Sequence, residues 1–144
     1  MDYKKIKWLT AILCSGIVLS YCASEPEEVI EEVDPMTNIG IGPIKTVELG
    51  EIDMDLVEKG KKFYNEKCTA CHKIDVKIIG PPQAGILKRR TPEWVMNLIL
   101  NPAEMLKKDP TARKLLKEYN NVPMTDQGVS QEEARSILEY FRTI

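Results

Sequence analysis

Cys68-Thr69-Ala70-Cys71-His72 is the stretch of this chain whose residue types and spacing dictate a chemistry. Two thiols three residues apart can add across the two vinyl groups of one porphyrin. A histidine directly after the second can reach the iron, and C-x-x-C-H is the attachment signature of a c-type haem. The remaining cysteines and histidines agree with that reading. The 144 residues hold four Cys, at 14, 22, 68 and 71, and one His. A structural zinc site needs four N/S ligands, and Cys68, Cys71 and His72 leave it one short. A thioredoxin-like C-x-x-C sits in a βαβ setting, and no strand pattern precedes Cys68. With His72 as proximal ligand, no histidine is left for the opposite face of the iron or for a second haem. The expectation is one covalent haem c, with a sixth ligand that is methionine, something weaker, or nothing.

Such a cofactor belongs outside the cytoplasm, and the first residues agree. Lys4, Lys5 and Lys7 precede an apolar run from Trp8 to Leu19. That run is shorter than the about 20 apolar residues of a transmembrane helix and reads as a signal peptide's core. Leu19-Ser20-Tyr21-Cys22 resembles a bacterial lipobox. The resemblance implies a signal peptide over 1–21, lipid on Cys22, and an exported, periplasm-facing, membrane-anchored protein. Tyr21 departs from the small residue preferred before the cysteine, which leaves ordinary cleavage or an uncleaved anchor as alternatives. Residues 22–35 form an acidic tether, in which Ser24 to Pro35 holds six acidic side chains and no basic one. Such a segment repels itself and extends. Beyond residue 22 the chain has 17 basic and 21 acidic residues, so without those six acids the remainder is slightly basic. Nothing in this distribution suggests nucleic acid as a partner.

The elements that must position the motif are helical. Residues 36–53 form an arm in which Gly40, Gly42 and Pro43 forbid a long helix. Ile44 to Leu49 could pair there as a short strand, or the whole stretch could lie over the domain. From Asp55, read as an N-cap, Val57, Gly60, Phe63 and Tyr64 recur at helical spacing. A glycine inside a helix costs about 1 kcal/mol relative to alanine, which points to another helix backbone passing close to Gly60. Ser130-Gln131-Glu132-Glu133 is a capping box. It opens a last helix to about Arg142, with an apolar stripe of Ala134, Ile137, Leu138, Tyr140 and Phe141. The first and last helices are expected to cross at Gly60, with Tyr64 against Tyr140 or Phe141. Between them, Thr91-Pro92-Glu93 is a helix start, and Asn101-Pro102 ends that helix. Its Trp94 carries an indole N–H that can bond a haem propionate or simply sit in the core.

Gly60 and Tyr64 before the motif, Gly80-Pro81 after it, Asn101-Pro102, and Met124 ahead of the last helix occur in one order. That order resembles class I cytochromes c over residues 54–144. The resemblance implies an all-α fold of a few helices wrapped around one haem, and a one-electron carrier rather than an enzyme. By position, Cys68 and Cys71 match the thioether cysteines and His72 the proximal ligand. Pro81 matches the proline whose carbonyl accepts the other ring N–H, a bond that fixes the tautomer and strengthens the imidazole as a donor. Met124, in the loop before the last helix, matches the axial methionine, with Met105 the alternative and Met96 read as core. His/Met ligation raises the reduction potential.

One departure is an insert from Ala103 to Asn121, with a helix opened by Asp109-Pro110. Tether and insert together resemble membrane-tethered cytochromes of nitrous oxide reductase systems. That implies redox proteins as partners, a terminal reductase such as nitrous oxide reductase among them. Two further readings stay open: a haem enzyme or gas sensor with a displaceable sixth ligand, or a dedicated electron-entry subunit of a reductase complex. Lys61, Lys62, Lys67, Lys73 and Lys77, with Lys88, Arg89, Arg90, Lys107 and Lys108, form either a basic docking rim or ordinary solvated surface among Glu58, Glu66 and Asp75. Two Phe in the whole chain are a meagre supply for a small core, so the porphyrin is expected to complete it.

Overall fold

The computed structural model describes residues 33–144. The signal peptide, Cys22 and most of the acidic tether lie outside them. Five α-helices carry the described residues: α1 Met54–Lys67, α2 Pro92–Leu100, α3 Pro102–Lys108, α4 Pro110–Glu118 and α5 Gln131–Phe141. A 3-10 turn, Ile86–Lys88, precedes α2. No strand occurs among the described residues, 44–49 included, and no described helix is long and apolar enough to cross a membrane.

Helix α1 is capped two residues earlier than expected: Asp53, not Asp55, accepts from the backbone N–H groups of Asp55 and Leu56. At the far end, Ser130 and Glu133 form the reciprocal capping box that opens α5. The two helices cross at Gly60. A Cβ there would stand 1.9 Å from the Ser136 carbonyl oxygen, so glycine is required for backbone to meet backbone. One turn on, the Tyr64 ring lies 5.7 Å from those of Tyr140 and Phe141, edge-on to the latter. The crossing and its aromatic partners are those the sequence predicts.

Helices α2, α3 and α4 are three short pieces in series, each with proline in its first turn. Proline there has no N–H to leave unsatisfied and cannot continue the preceding helix. Pro102 therefore does more than end α2, since it also starts α3, which sequence patterning did not reveal. Asp109 caps α4 and is 2 % exposed. Its carboxylate accepts from the Ala112 N–H, the Trp94 indole and the Asn38 amide, at 2.8–3.0 Å.

The arm has no regular structure, yet it is fastened to α2 along its length. Asn97, fully buried, acts on it like a strand edge: its Oδ1 accepts from Ile44 N–H at 2.9 Å, and its Nδ2 donates to the carbonyls of Ile39 and Ile44 at 2.8 Å each. Thr91 donates to the Asn38 carbonyl and Glu93 accepts from Val47 N–H. The far end of the arm meets α5, where Glu139, buried between Arg135 and Arg142, accepts from Asp53 N–H. Arg142 also donates to the Gly50 carbonyl.

Candidate haem site

Helix α1 delivers the motif. Its capping turn continues with hydrogen bonds from the N–H groups of Cys71 and His72 to the Cys68 carbonyl, which places two thiols and the imidazole on one tight turn. The chain then loops out and is pinned back where Gln83 and Ala84 donate to the carbonyls of Lys73 and Ile74. That pin sets Pro81 beside the histidine, with His72 Nδ1 2.9 Å from the Pro81 carbonyl oxygen. Gly80 makes the approach possible, because a Cβ there would lie 2.3 Å from His72 Cε1.

Around this turn the structure opens a cleft with two lobes, of about 270 Å³ and about 90 Å³. Cys68, His72, Pro81, Leu98, Leu115 and Met124 line both. The narrower lobe runs inward past Ile86, Trp94, Val95, Ile99, Ile137 and Phe141. The wider opens between Ile79, Leu116, Tyr119, Val122 and Pro123. Such a slot, apolar on its walls with thiols and an imidazole at one side, fits a porphyrin. Burial pushes the Cys68 thiol up to about 11, Cys71 adding to the effect and Lys67 opposing it. It likewise pushes the Tyr64 hydroxyl up to about 12, with Cys68 and Tyr140 adding.

The methionines separate cleanly. Met124 is half-buried and faces the cleft from the loop before α5. Met105 is fully buried on the other side of α2, where its Sδ accepts from Ile41 N–H at 2.9 Å. Met96 is buried along the groove between the arm, α1 and α5. Met105, named as the alternative axial methionine, does not line the cleft and instead anchors the arm.

Trp94 takes the core alternative rather than the propionate one. Its indole N–H donates to Asp109 Oδ1 at 3.0 Å, deep in the core, and is not free for a propionate. Arg90 offers what Trp94 does not. Its guanidinium lies 5.2 Å from the Trp94 ring centre, and its Nε is buried without a protein partner at the narrower lobe. Burial, with Arg89 beside it, lowers its pKa against the opposing pull of Asp109 and Glu118. An orphaned guanidinium donor at the inner wall is what a carboxylate-bearing porphyrin satisfies. Sequence reasoning had Arg90 on a surface rim. Its position directly before the Thr91-Pro92 helix start, which turns it inward, was the available signal.

The rim itself is mixed. Lys67 pairs with Glu133 at 3.4 Å, Lys108 pairs with Glu104, and Arg89 donates to the carbonyls of Ala84 and Pro82. Gln83 was not singled out from the sequence, yet it is 6 % exposed and its side-chain Nε2 stands 2.9 Å from the Pro81 oxygen and 2.8 Å from His72 Nδ1.

Comparison with known proteins agrees with this geometry. The family model for cytochrome c matches residues 57–144. A cytochrome c from Rhodothermus marinus is 46 % identical, superposes with a TM-score of 0.69, and is matched over 71 % of this chain and 88 % of its own. An engineered form of that protein bound to a carbene intermediate is 44 % identical, with a TM-score of 0.66 over the same 71 % and 88 %. The cytochrome c domain of a Pseudomonas putida protein, 23 % identical over 58 % of this chain and 85 % of that one, shares the fold with a TM-score of 0.53. No curated protein matches the chain. The chain belongs to the cytochrome c family, as a class I monohaem cytochrome that binds one covalent haem c and transfers electrons with redox-protein partners.

Proposed function

We propose that this protein is a tethered one-electron carrier whose haem is bound through Cys68 and Cys71 and ligated by His72 and Met124. One observation carries the ligation: Met124 shares both lobes of the cleft with His72, while the sulfur of Met105 is held by Ile41. The haem stores and releases a single electron when bound. The chain's own residues do the rest. Pro81 holds the proximal imidazole in the tautomer whose Nε2 faces the cleft. Leu98, Leu115, Ile99 and Ile137 exclude water, and Arg90 meets a propionate. Lipid on Cys22 and the acidic tether would hold the protein at a membrane on the periplasmic side, on the strength of the leader and lipobox pattern. Tether and insert favour a terminal reductase as acceptor, nitrous oxide reductase among them.

A second reading has one observation in its favour. The loop bearing Met124 is lightly fastened, its tie to α1 being Lys67 Nζ to the Gly128 carbonyl at 3.4 Å. A ligand on such a loop can yield its place, which would allow gas binding or catalysis at the iron. Adding CO to the reduced protein decides between the two. The carrier keeps its visible spectrum and shows in the ferric state the weak near-infrared band of methionine ligation. Rapid CO binding by the wild type overturns it, and Met124→Ala should bind CO readily and lose the band.

A further inference from the structure

Three polar atoms crowd behind the proximal histidine: His72 Nδ1, the Pro81 carbonyl oxygen and Gln83 Nε2, at 2.8–2.9 Å from one another. A histidine that binds a metal through Nε2 carries its proton on Nδ1, so both nitrogens are donors and the Pro81 oxygen is the shared acceptor. Gln83 Nε2 and His72 Nδ1, both donors, approach to 2.8 Å because each aims its hydrogen at the shared Pro81 oxygen, whereas turning the amide over would set Gln83 Oε1 against that oxygen, two acceptors with no hydrogen between them. Gln83 is fixed for this role. It is 6 % exposed, its N–H donates to the Lys73 carbonyl at 3.1 Å, and its carbonyl accepts from Ile86 at 3.0 Å. An amide buried against an apolar cleft is unfavourable unless its polar atoms are used, and here a donor is used on the carbonyl that orients the ligand.

We infer that Gln83 is a positioning residue that shares the Pro81 carbonyl with His72 and so holds the His72 Nδ1–H bond below full strength, raising the reduction potential. The inference rests on His72 being the proximal ligand. Two donors on one carbonyl compete for its electron density, so each bond is weaker than it would be alone. A weaker Nδ1–H bond leaves the imidazole less basic, and a less basic ligand stabilises the ferric state less. The effect adds to that of methionine on the opposite face.

The test uses the holoprotein with Gln83→Leu and Gln83→Met, two apolar side chains of different shape, so that poor haem uptake by one leaves the other. In both, the midpoint potential should fall, raising the ferric-to-ferrous ratio several-fold at the wild-type midpoint. The His72 Nδ1–H proton resonance of the ferrous protein should move downfield as its bond strengthens. A purely structural Gln83 would alter stability and leave that resonance in place. Unchanged or higher potentials, or an unmoved resonance, in the folded variants overturn the inference. The wild type supplies the separate control. Ring-current-shifted Nδ1–H and methionine methyl signals establish the ligation whatever the variants do, and their absence sinks the ligation instead.

Discussion

Two irregular stretches among the described residues, the arm and the loop before α5, are built in opposite ways. Between residues 38 and 47 the arm is bonded repeatedly by side chains of its neighbours: Thr91, Glu93, Asn97 and Asn101 of α2 and its boundaries, and Met105 of α3, all bond its backbone. The loop 122–129 bonds mainly to itself, with Gln127 on Thr125 and Gly128 on the Asp126 side chain. It is entered through Asn120 and Asn121, both at positive φ, near 59° and 57°. Irregular backbone is therefore no measure of looseness. What counts is whether buried side chains satisfy its N–H and C=O groups. The arm is a fixed wall behind α2, and the loop is a strap across the cleft whose hold depends on what its methionine grips.

The sharpest way to break that contrast is to withhold the haem. In a chain with Cys68 and Cys71 both replaced by alanine, the cleft keeps its apolar walls and loses what fills them. We expect loss of cooperative thermal melting and of most helical circular dichroism. A native-like cooperative transition would show that the arm and the α1–α5 crossing suffice alone.

Next in size is Asn97→Ala. It removes three bonds and strands the buried N–H and C=O of Ile44 and the partly buried carbonyl of Ile39, for a loss of about 3 kcal/mol in urea unfolding of the holoprotein. The methionine band should survive, because the arm lies on the other side of α2. Two glycines inserted after Gln127 should cost only about 0.2 kcal/mol, since lengthening a loop adds closure entropy slowly. The same insertion between Ile41 and Gly42 should approach the Asn97→Ala loss.

The smallest effect lies where the strap ends. The Glu133 carboxyl is held below its ordinary range by the Ser130 backbone N–H, then by Lys67. A depressed native pKa means the contribution is present above the unfolded value and lost as pH falls through the native one. Glu133→Gln should therefore lower stability slightly at neutral pH, leave it nearly unchanged once the carboxyl is protonated, and so flatten the acid side of the stability profile.

Much of this was legible from residue order. C-x-x-C-H, the capping box, Thr91-Pro92 and Gly60 are local signals whose physics needs no partner to be interpreted. The arm's attachment was not legible, because Asn97 sits in an apolar run and only the fold shows which backbone it faces. The partners of Trp94 and Met105 were hidden for the same reason. Each can serve a haem, but each was met first by a partner distant in sequence, Asp109 and Ile41. Arg90 was placed on the rim and Gln83 passed over because their types are common on surfaces.

The Asn38 side chain, at the start of the arm, bonds both Asp109 and Thr111 at the head of α4. Leu115, Leu116 and Tyr119, farther along α4, line the cleft mouth. The helix has nine residues, about 13 Å in all. The upstream chain thus leaves the domain within one short helix of its electrical contact. For the tethered carrier proposed above, swivelling about that pivot would carry the contact through a small arc, so a partner seated near the proposed anchor would be served without the domain having to travel.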